Sequence, residues 1–126
     1  MRDLYSNIEA VQALAPAVQA SATTGPAIDL HGANRVAIVV NTGAIASSGD
    51  FGVKLQESDT TTSEDFADVA AAQVQSDAPA TLAAASAYRL GYLGFKRYIR
   101  VALTKAGGTS IAAGATAIRS DLAERP

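Results

Sequence analysis

Residues 51–69 read FGVKLQESDTTTSEDFADV, and the reading of this stretch decides the fold. Phe51, Val53 and Leu55 alternate with Gly52, Lys54 and Gln56, the period-two pattern of a strand with one face on a core and the other toward water. A polar, acidic loop from Ser58 to Asp65, with neither Gly nor Pro, interrupts the alternation before the chain returns toward Val69. Strand, loop and short return strand set the grammar that the rest of the chain follows.

Working outward, AIDLHG over 27–32 places Ile28 and Leu30 on one side and Asp29 and His31 on the other, and Gly32 ends that strand. From Arg35 to Val40 both faces are apolar, with Val36, Ile38 and Val40 on one and Ala37 and Val39 on the other, as expected of a central strand. NTGAIASSGD over 41–50 reads as a long turn region, rich in residues that tolerate unusual backbone angles. Val69 and Val74 mark two short strands. Residues 77–87 form a small-residue connection in which Ala83 to Ala85 reads as one helical turn.

Tyr88, Leu90 and Tyr92 alternate again, with Gly91 and Gly94 framing a bend. Arg97 to Thr104 is the cleanest strand: Ile99, Val101 and Leu103 face one way, Tyr98, Arg100 and Thr104 the other. Gly107-Gly108 is a hairpin signal, and its partner strand is Ile111 to Ile118, whose side chains are mostly small. Seven or eight short strands with regular turn signals predict an all-β, antiparallel β-sandwich of jelly-roll-like or immunoglobulin-like kind.

The N-terminal segment breaks this rhythm. Leu4, Ile8, Val11 and Leu14 recur at spacings of four, three and three, one helical face that Pro16 interrupts. So short a helix is marginal in water, so the segment is expected as an extended or short helical arm that needs a surface to lie on. The expected organisation is an arm and linker over 1–25, the sandwich over 26–120 and an exposed tail over 121–126.

At 126 residues the chain is one domain's worth. Its 28 alanines against 33 larger apolar residues thin the core and predict modest stability. A net charge of −2 argues against a protein that chiefly grips nucleic acid. Seven of the twelve acids fall between Asp50 and Asp77 beside Lys54, whereas Arg89, Lys96, Arg97, Arg100 and Lys105 form a span without an acid. Two opposite patches of this kind are expected either to steer like subunits head to tail or to be solvated strand faces. The absence of Cys excludes disulfides and thiolate metal sites. The N-terminus has too many polar breaks for a signal peptide and no run is long enough to span a membrane, so a chain without a membrane partner is expected.

No stretch supplies catalytic vocabulary. His31 is the only histidine, and Asp29 shares its strand face, but no nucleophile motif accompanies them. Glu57, Asp59, Glu64, Asp65 and Asp68 raise the question of calcium, yet they lack the alternate spacing and the bend glycine of a calcium loop. Tyr88, Tyr92, Phe95 and Tyr98 interleave with Arg89, Lys96, Arg97 and Arg100, a pattern shared by single-strand-binding sheets and, more simply, by strand alternation. KAGGTSIAAGAT lacks the G-K-[ST] ending of a phosphate loop. No catalytic residue, cofactor or metal is expected.

MRDLYSNIEAVQALAPAV, AIDLHGANRVAIVVNTGAI, GDFGVKLQESDTTTSEDFADV and YRLGYLGFKRYIRVALTKAGGTSIAAGA, in that order, together resemble a family of small tailed-phage and prophage structural proteins of the head decoration, or capsid cement, type. KRYIRV followed by a glycine-bearing turn, with KLQESD upstream, carries most of the likeness. The loop TTTSED departs from many relatives, which have Gly or Asn near that turn. The resemblance implies a β-sandwich on the outer surface of the assembled capsid of the virion, commonly a homotrimer where major capsid protein subunits meet, with no enzymatic role. The alternatives are a tail or head-to-tail connector protein and a virion-displayed carbohydrate-binding module.

On this reading the arm docks Leu4, Tyr5, Ile8, Val11 and Leu14 on the capsid or on a neighbouring decoration subunit. Each such side chain is worth roughly 1.5–3 kcal/mol before ordering costs. Removing residues 1–16 is then expected to leave a folded sandwich that no longer coats heads.

Overall fold

The computed structural model describes residues 8–31, 33–79 and 81–122. They form an antiparallel β-sandwich. Its strands in chain order are β1 (Ile8–Gln19), β2 (Thr23–Thr24), β3 (Ile28–Asp29), β4 (Ala33–Ala46), β5 (Asp50–Ser58), β6 (Ala67–Asp68), β7 (Val74–Ser76), β8 (Ala87–Tyr92), β9 (Tyr98–Gly107) and β10 (Ser110–Leu122). Single 3-10 turns occupy Ser63–Asp65 and Ala71–Gln73.

One sheet has the order β1-β10-β4-β8-β7; the other runs β2-β9-β5-β6, with β3 also paired to β9. Alternate residues of the long strands meet between the sheets. Val36, Ile38 and Val40 of β4, Leu90 and Tyr92 of β8, and Ala115 and Ala117 of β10 face Leu55 of β5 and Ile99 and Val101 of β9. A second cluster gathers Phe51, Leu103, Ile111 and Ala113 around Leu82, a loop residue 1% exposed whose N–H donates to the carbonyl of Phe51.

The turn at Gly107-Gly108 is not the hairpin the sequence suggests. β9 pairs with β5, β2 and β3, whereas β10 pairs with β1 and β4, so this turn carries the chain from one sheet to the other. The same is true of the corner after β4. The strand runs on to Ala46, through most of the expected turn region, and Ser47 and Ser48 then turn with φ of 51° and 58°. The two corners touch. Gly108 has φ 76°, and a Cβ there would fall 2.4 Å from the Ser48 carbonyl oxygen, so neither the backbone angle nor the space admits a side chain.

The N-terminal segment is also corrected. From Ile8 onward it is a strand, antiparallel to β10 from Ile8↔Ser120 to Gln19↔Ile111, with irregularities between Gln12 and Leu14 and between Leu14 and Ala17. The first irregularity explains the helix-like spacing. A bulge inserts one residue and flips the facing of those after it, so the neighbours Ala13 and Leu14 are both buried, at 0% and 5% exposure, while Val11 packs against the same core. Spacings of three that imitate a helical face are a strand with its alternation reset. Pro16 lies in the second irregularity of an edge strand, where its missing N–H is tolerated.

Arg119 of β10 fastens β1 to the body, pairing through Nη1 with Glu9 and donating from Nη2 to the His31 carbonyl at 2.6 Å. The segment from Ile8 is therefore part of the sandwich, and Leu14 belongs to its core. At the other end β10 continues to Leu122, past the expected start of the tail, and the tail from residue 123 lies outside the described residues. Leu4 and Tyr5 lie outside them as well.

A buried leucine on a strand that closes a thin, alanine-rich core has a measurable consequence. Leu14→Ala is expected to cost about 2–5 kcal/mol, read as a lowered denaturant midpoint with an unchanged slope. Removal of residues 1–16 is expected to lower the melting temperature sharply; an unchanged melt would show that β1 contributes nothing to the fold.

Candidate interaction site

The loop from Leu93 to Arg97, between β8 and β9, is held at three points. Tyr92 ends β8 with a buried ring, and its hydroxyl donates to Glu57 Oε1 at 2.6 Å while accepting the Lys96 N–H at 3.0 Å. The Leu93 N–H donates to the Gln73 carbonyl at 2.7 Å. Gly94 lies flat on the Tyr92 ring, where a Cβ would come within 2.4–2.7 Å of the ring and its hydroxyl. On either side of this pinned glycine, Leu93 and Phe95 are 57% and 86% exposed.

Charged residues ring this knob, and they are paired. Lys96 Nζ meets Asp59 at 2.9 Å, and Arg97 grips Asp29 through two hydrogen bonds of 3.1 Å. Asp29 also accepts the His31 N–H at 2.9 Å. The Arg97 guanidinium, and then that backbone donor, hold the Asp29 carboxyl at about 2, below the usual carboxylate range. The Asp59 carboxylate raises Lys96 in turn. Burial, and then the bond to Glu57, push the Tyr92 hydroxyl up to about 12. Leu30, Arg35, Val36 and Phe95 are among the residues that line a depression of about 430 Å³ here.

A second surface lies on the outer face of the first sheet, where β1, β10 and β4 run side by side. Gln12, Pro16, Val18, Asn41, Gly43 and Thr116 border an open groove of about 580 Å³ whose lining has no ionisable side chain. Val18 stands in it at 70% exposure. Val18, Leu93 and Phe95 are the exposed large apolar residues among those described, so every such side chain belongs to the knob or to the groove.

The residues singled out in the sequence separate. Val11 and Leu14 face the core, Ile8 is half-buried in step with Ala10 and Gln12 on the outer face, and Leu4 and Tyr5 are not described. Four of the five acids of the 57–68 segment bind separate partners: Glu57 takes Tyr92, Asp59 takes Lys96, Asp65 takes the Thr60 hydroxyl, and Asp68 takes Lys54 and Gln56. Of the aromatic set, Tyr92 is buried, Tyr88 and Tyr98 are half-buried, and Phe95 alone is free.

The opposite charge patches collapse on each other, Lys96 onto Asp59 and Arg89 onto Asp77, because their segments lie beside one another in space. The exposure of Leu93 and Val18 escaped the sequence reading. The available signal for the first was Leu93-Gly94-Phe95, two large apolar residues flanking a glycine outside the alternation.

The tyrosine has a spectroscopic signature. The neutral phenol is favoured in the folded state, so its contribution is intact below pH ~10, the unfolded value, and is lost as pH rises through about 12. Absorbance titration should show one of the four tyrosines ionising late, and Tyr92→Phe should delete that step. If no tyrosine of the folded protein ionises late, the Tyr92–Glu57 bond is not formed in solution.

Neither a protein-family model nor a curated protein matches this chain. Among solved structures, the chain is similar to one in the structure of infectious bursal disease virus Gx strain, with 14% identity and a TM-score of 0.42. The match covers 94% of this chain and 34% of that one, so this chain spans about a third of its length.

Proposed function

We propose that this chain is a structural protein of a tailed-phage virion, of the head decoration type, that binds the major capsid protein on the outer surface of the assembled head and acts by binding energy alone. The resemblance over nearly the whole sequence supports the family. The observation that carries the mode of binding is the free edge of β1. Among the described residues this twelve-residue strand is paired on one side only, by β10. An open edge is a template for an added strand, and its regular part, Ile8–Gln12, precedes the irregularities and Pro16.

Shell contact is thus assigned to the edge at Ile8–Gln12 together with Leu4, Tyr5 and Ile8, while Val11 and Leu14 hold the strand to its own sandwich. The arm of the sequence reading becomes a strand with an inner face that folds the protein and an outer edge that binds. Repetition of such contacts over the head clamps neighbouring capsid subunits through avidity.

The test uses heads assembled without this protein. Added chain carrying a C-terminal label should cover the whole head in electron micrographs, and decorated heads should retain DNA at higher temperature than bare ones. Leu4→Asp combined with Ile8→Asp should weaken coating at least tenfold, about 1.4 kcal/mol, with little change in the chain's own melting temperature. Label confined to one vertex would replace this reading with a connector; undiminished coating by the double variant would remove the β1 edge from the mechanism.

A further inference from the structure

We infer that the Glu9–Arg119 ion pair is a register key for β1: it decides which row of the strand's side chains faces outward, and so whether Ile8 is presented to the shell. The functional half of this inference rests on the β1 edge as the shell contact proposed above.

Hydrophobic alternation does not make the choice. Within Ile8–Gln12 one row holds Ile8, Ala10 and Gln12, and the other holds Glu9 and Val11. A strand beside a core turns its more apolar row inward, and the row with Ile8 and Ala10 is at least as apolar as the row with Glu9. The structure has the opposite arrangement. Glu9 and Val11 lie opposite Arg119 and Ala117, whose row on β10 continues through the buried Ala115 and Ala113, while Ala10 and Gln12 border the outer groove.

The competing register is one residue away. Gln12 faces Thr116 and Leu14 faces Ala115, so Ala13 is the inserted residue of the first irregularity. Absorbing Ala13 into the ladder moves Ile8–Gln12 along by one, sets Val11 opposite Ile118 in place of Ala10, and turns over every side chain of the segment. Glu9 then goes to water and Ile8 goes inward.

Arg119 opposes that slip. Its side chain is 14% exposed, pairs with Glu9 through Nη1 and donates from Nη2 to the carbonyl of His31, just beyond β3 of the other sheet. The guanidinium is thereby tethered between the sheets, and a slip would leave it there without its carboxylate, a strongly unfavourable state. Its Nε is buried with no hydrogen-bond partner among the described residues. A buried charge satisfied only in part adds little net stability, and its contribution is to the specificity of register.

The chain has no cysteine, so engineered pairs report the register in the purified full chain. Ala10→Cys with Ile118→Cys should oxidise to a disulfide in the parent, because these residues face each other; Val11→Cys with Ile118→Cys should not. Adding Arg119→Met should reverse the preference and change the ratio of the two yields about tenfold or more, in a chain that still melts cooperatively. Glu9→Lys, at the more exposed end of the pair, should do the same. Arg119→Met with Glu9→Leu should restore the parent disulfide, since the inner row is then the apolar one. An unchanged preference in both single variants, loss of both disulfides because β1 has merely come away, or failure of the double variant to recover would each overturn the key. In coating of heads, the slipped variants should bind weakly and the double variant as the parent does. A reversed disulfide preference with undiminished coating would leave the key standing and overturn the β1 edge as the shell contact.

Discussion

The pairing of β10 with two strands at once is the constraint on which the rest depends. β10 lies between β1 and β4, and past Ile111 at its start its buried side chains are Ala113, Ala115 and Ala117. A strand so poor in side-chain volume adds little burial by itself. Its backbone must be satisfied on both sides, and the bulk that fills the space above it comes from Leu14 of β1 and from Val36, Ile38 and Val40 of β4. Without β1, one ladder of β10 opens and the small-residue floor of the core loses its cover.

The corners follow from the same economy of volume. Two of the passages between the sheets, after β4 and after β9, use backbone in the left-handed region at Ser47, Ser48 and Gly108 and pack against each other. Two tight corners in contact place β5 beside β9 and β10 beside β4, so each sheet receives strands from both halves of the chain. Leu82 then plugs the gap beneath, hydrogen-bonded to Phe51, and Thr42 anchors the adjacent turn through its hydroxyl, which donates to the Ala83 carbonyl and accepts the Ser86 N–H.

What remains outside is organised by pairing of another kind. Carboxylates and cations that lie far apart in sequence neutralise each other across neighbouring elements, as Asp29 does with Arg97 and Asp59 with Lys96. Exposed ion pairs of this sort contribute little to stability. Their effect is to leave the apolar side chains of the knob and groove as the distinctive features of the surface.

The sequence by itself determined the class of structure and the facing of its best strands. Period-two alternation is a local property: it turned Phe51, Val53 and Leu55 inward and put Ile99, Val101 and Leu103 on one face before any partner strand was known, and all of these but the half-buried Val53 are buried. Tertiary structure decided the rest, because strand partnership is non-local. A Gly-Gly turn reads the same whether it closes a hairpin or crosses between sheets, and only the competition of β1 and β4 for β10 settles which. A bulge shifts alternation into a helix-like spacing, so Val11 and Leu14 are interpretable only once β10 lies alongside. The knob was least legible, since the exposure of Phe95 depends on a glycine pressed against a tyrosine ring and a hydroxyl bonded to Glu57, 35 residues away.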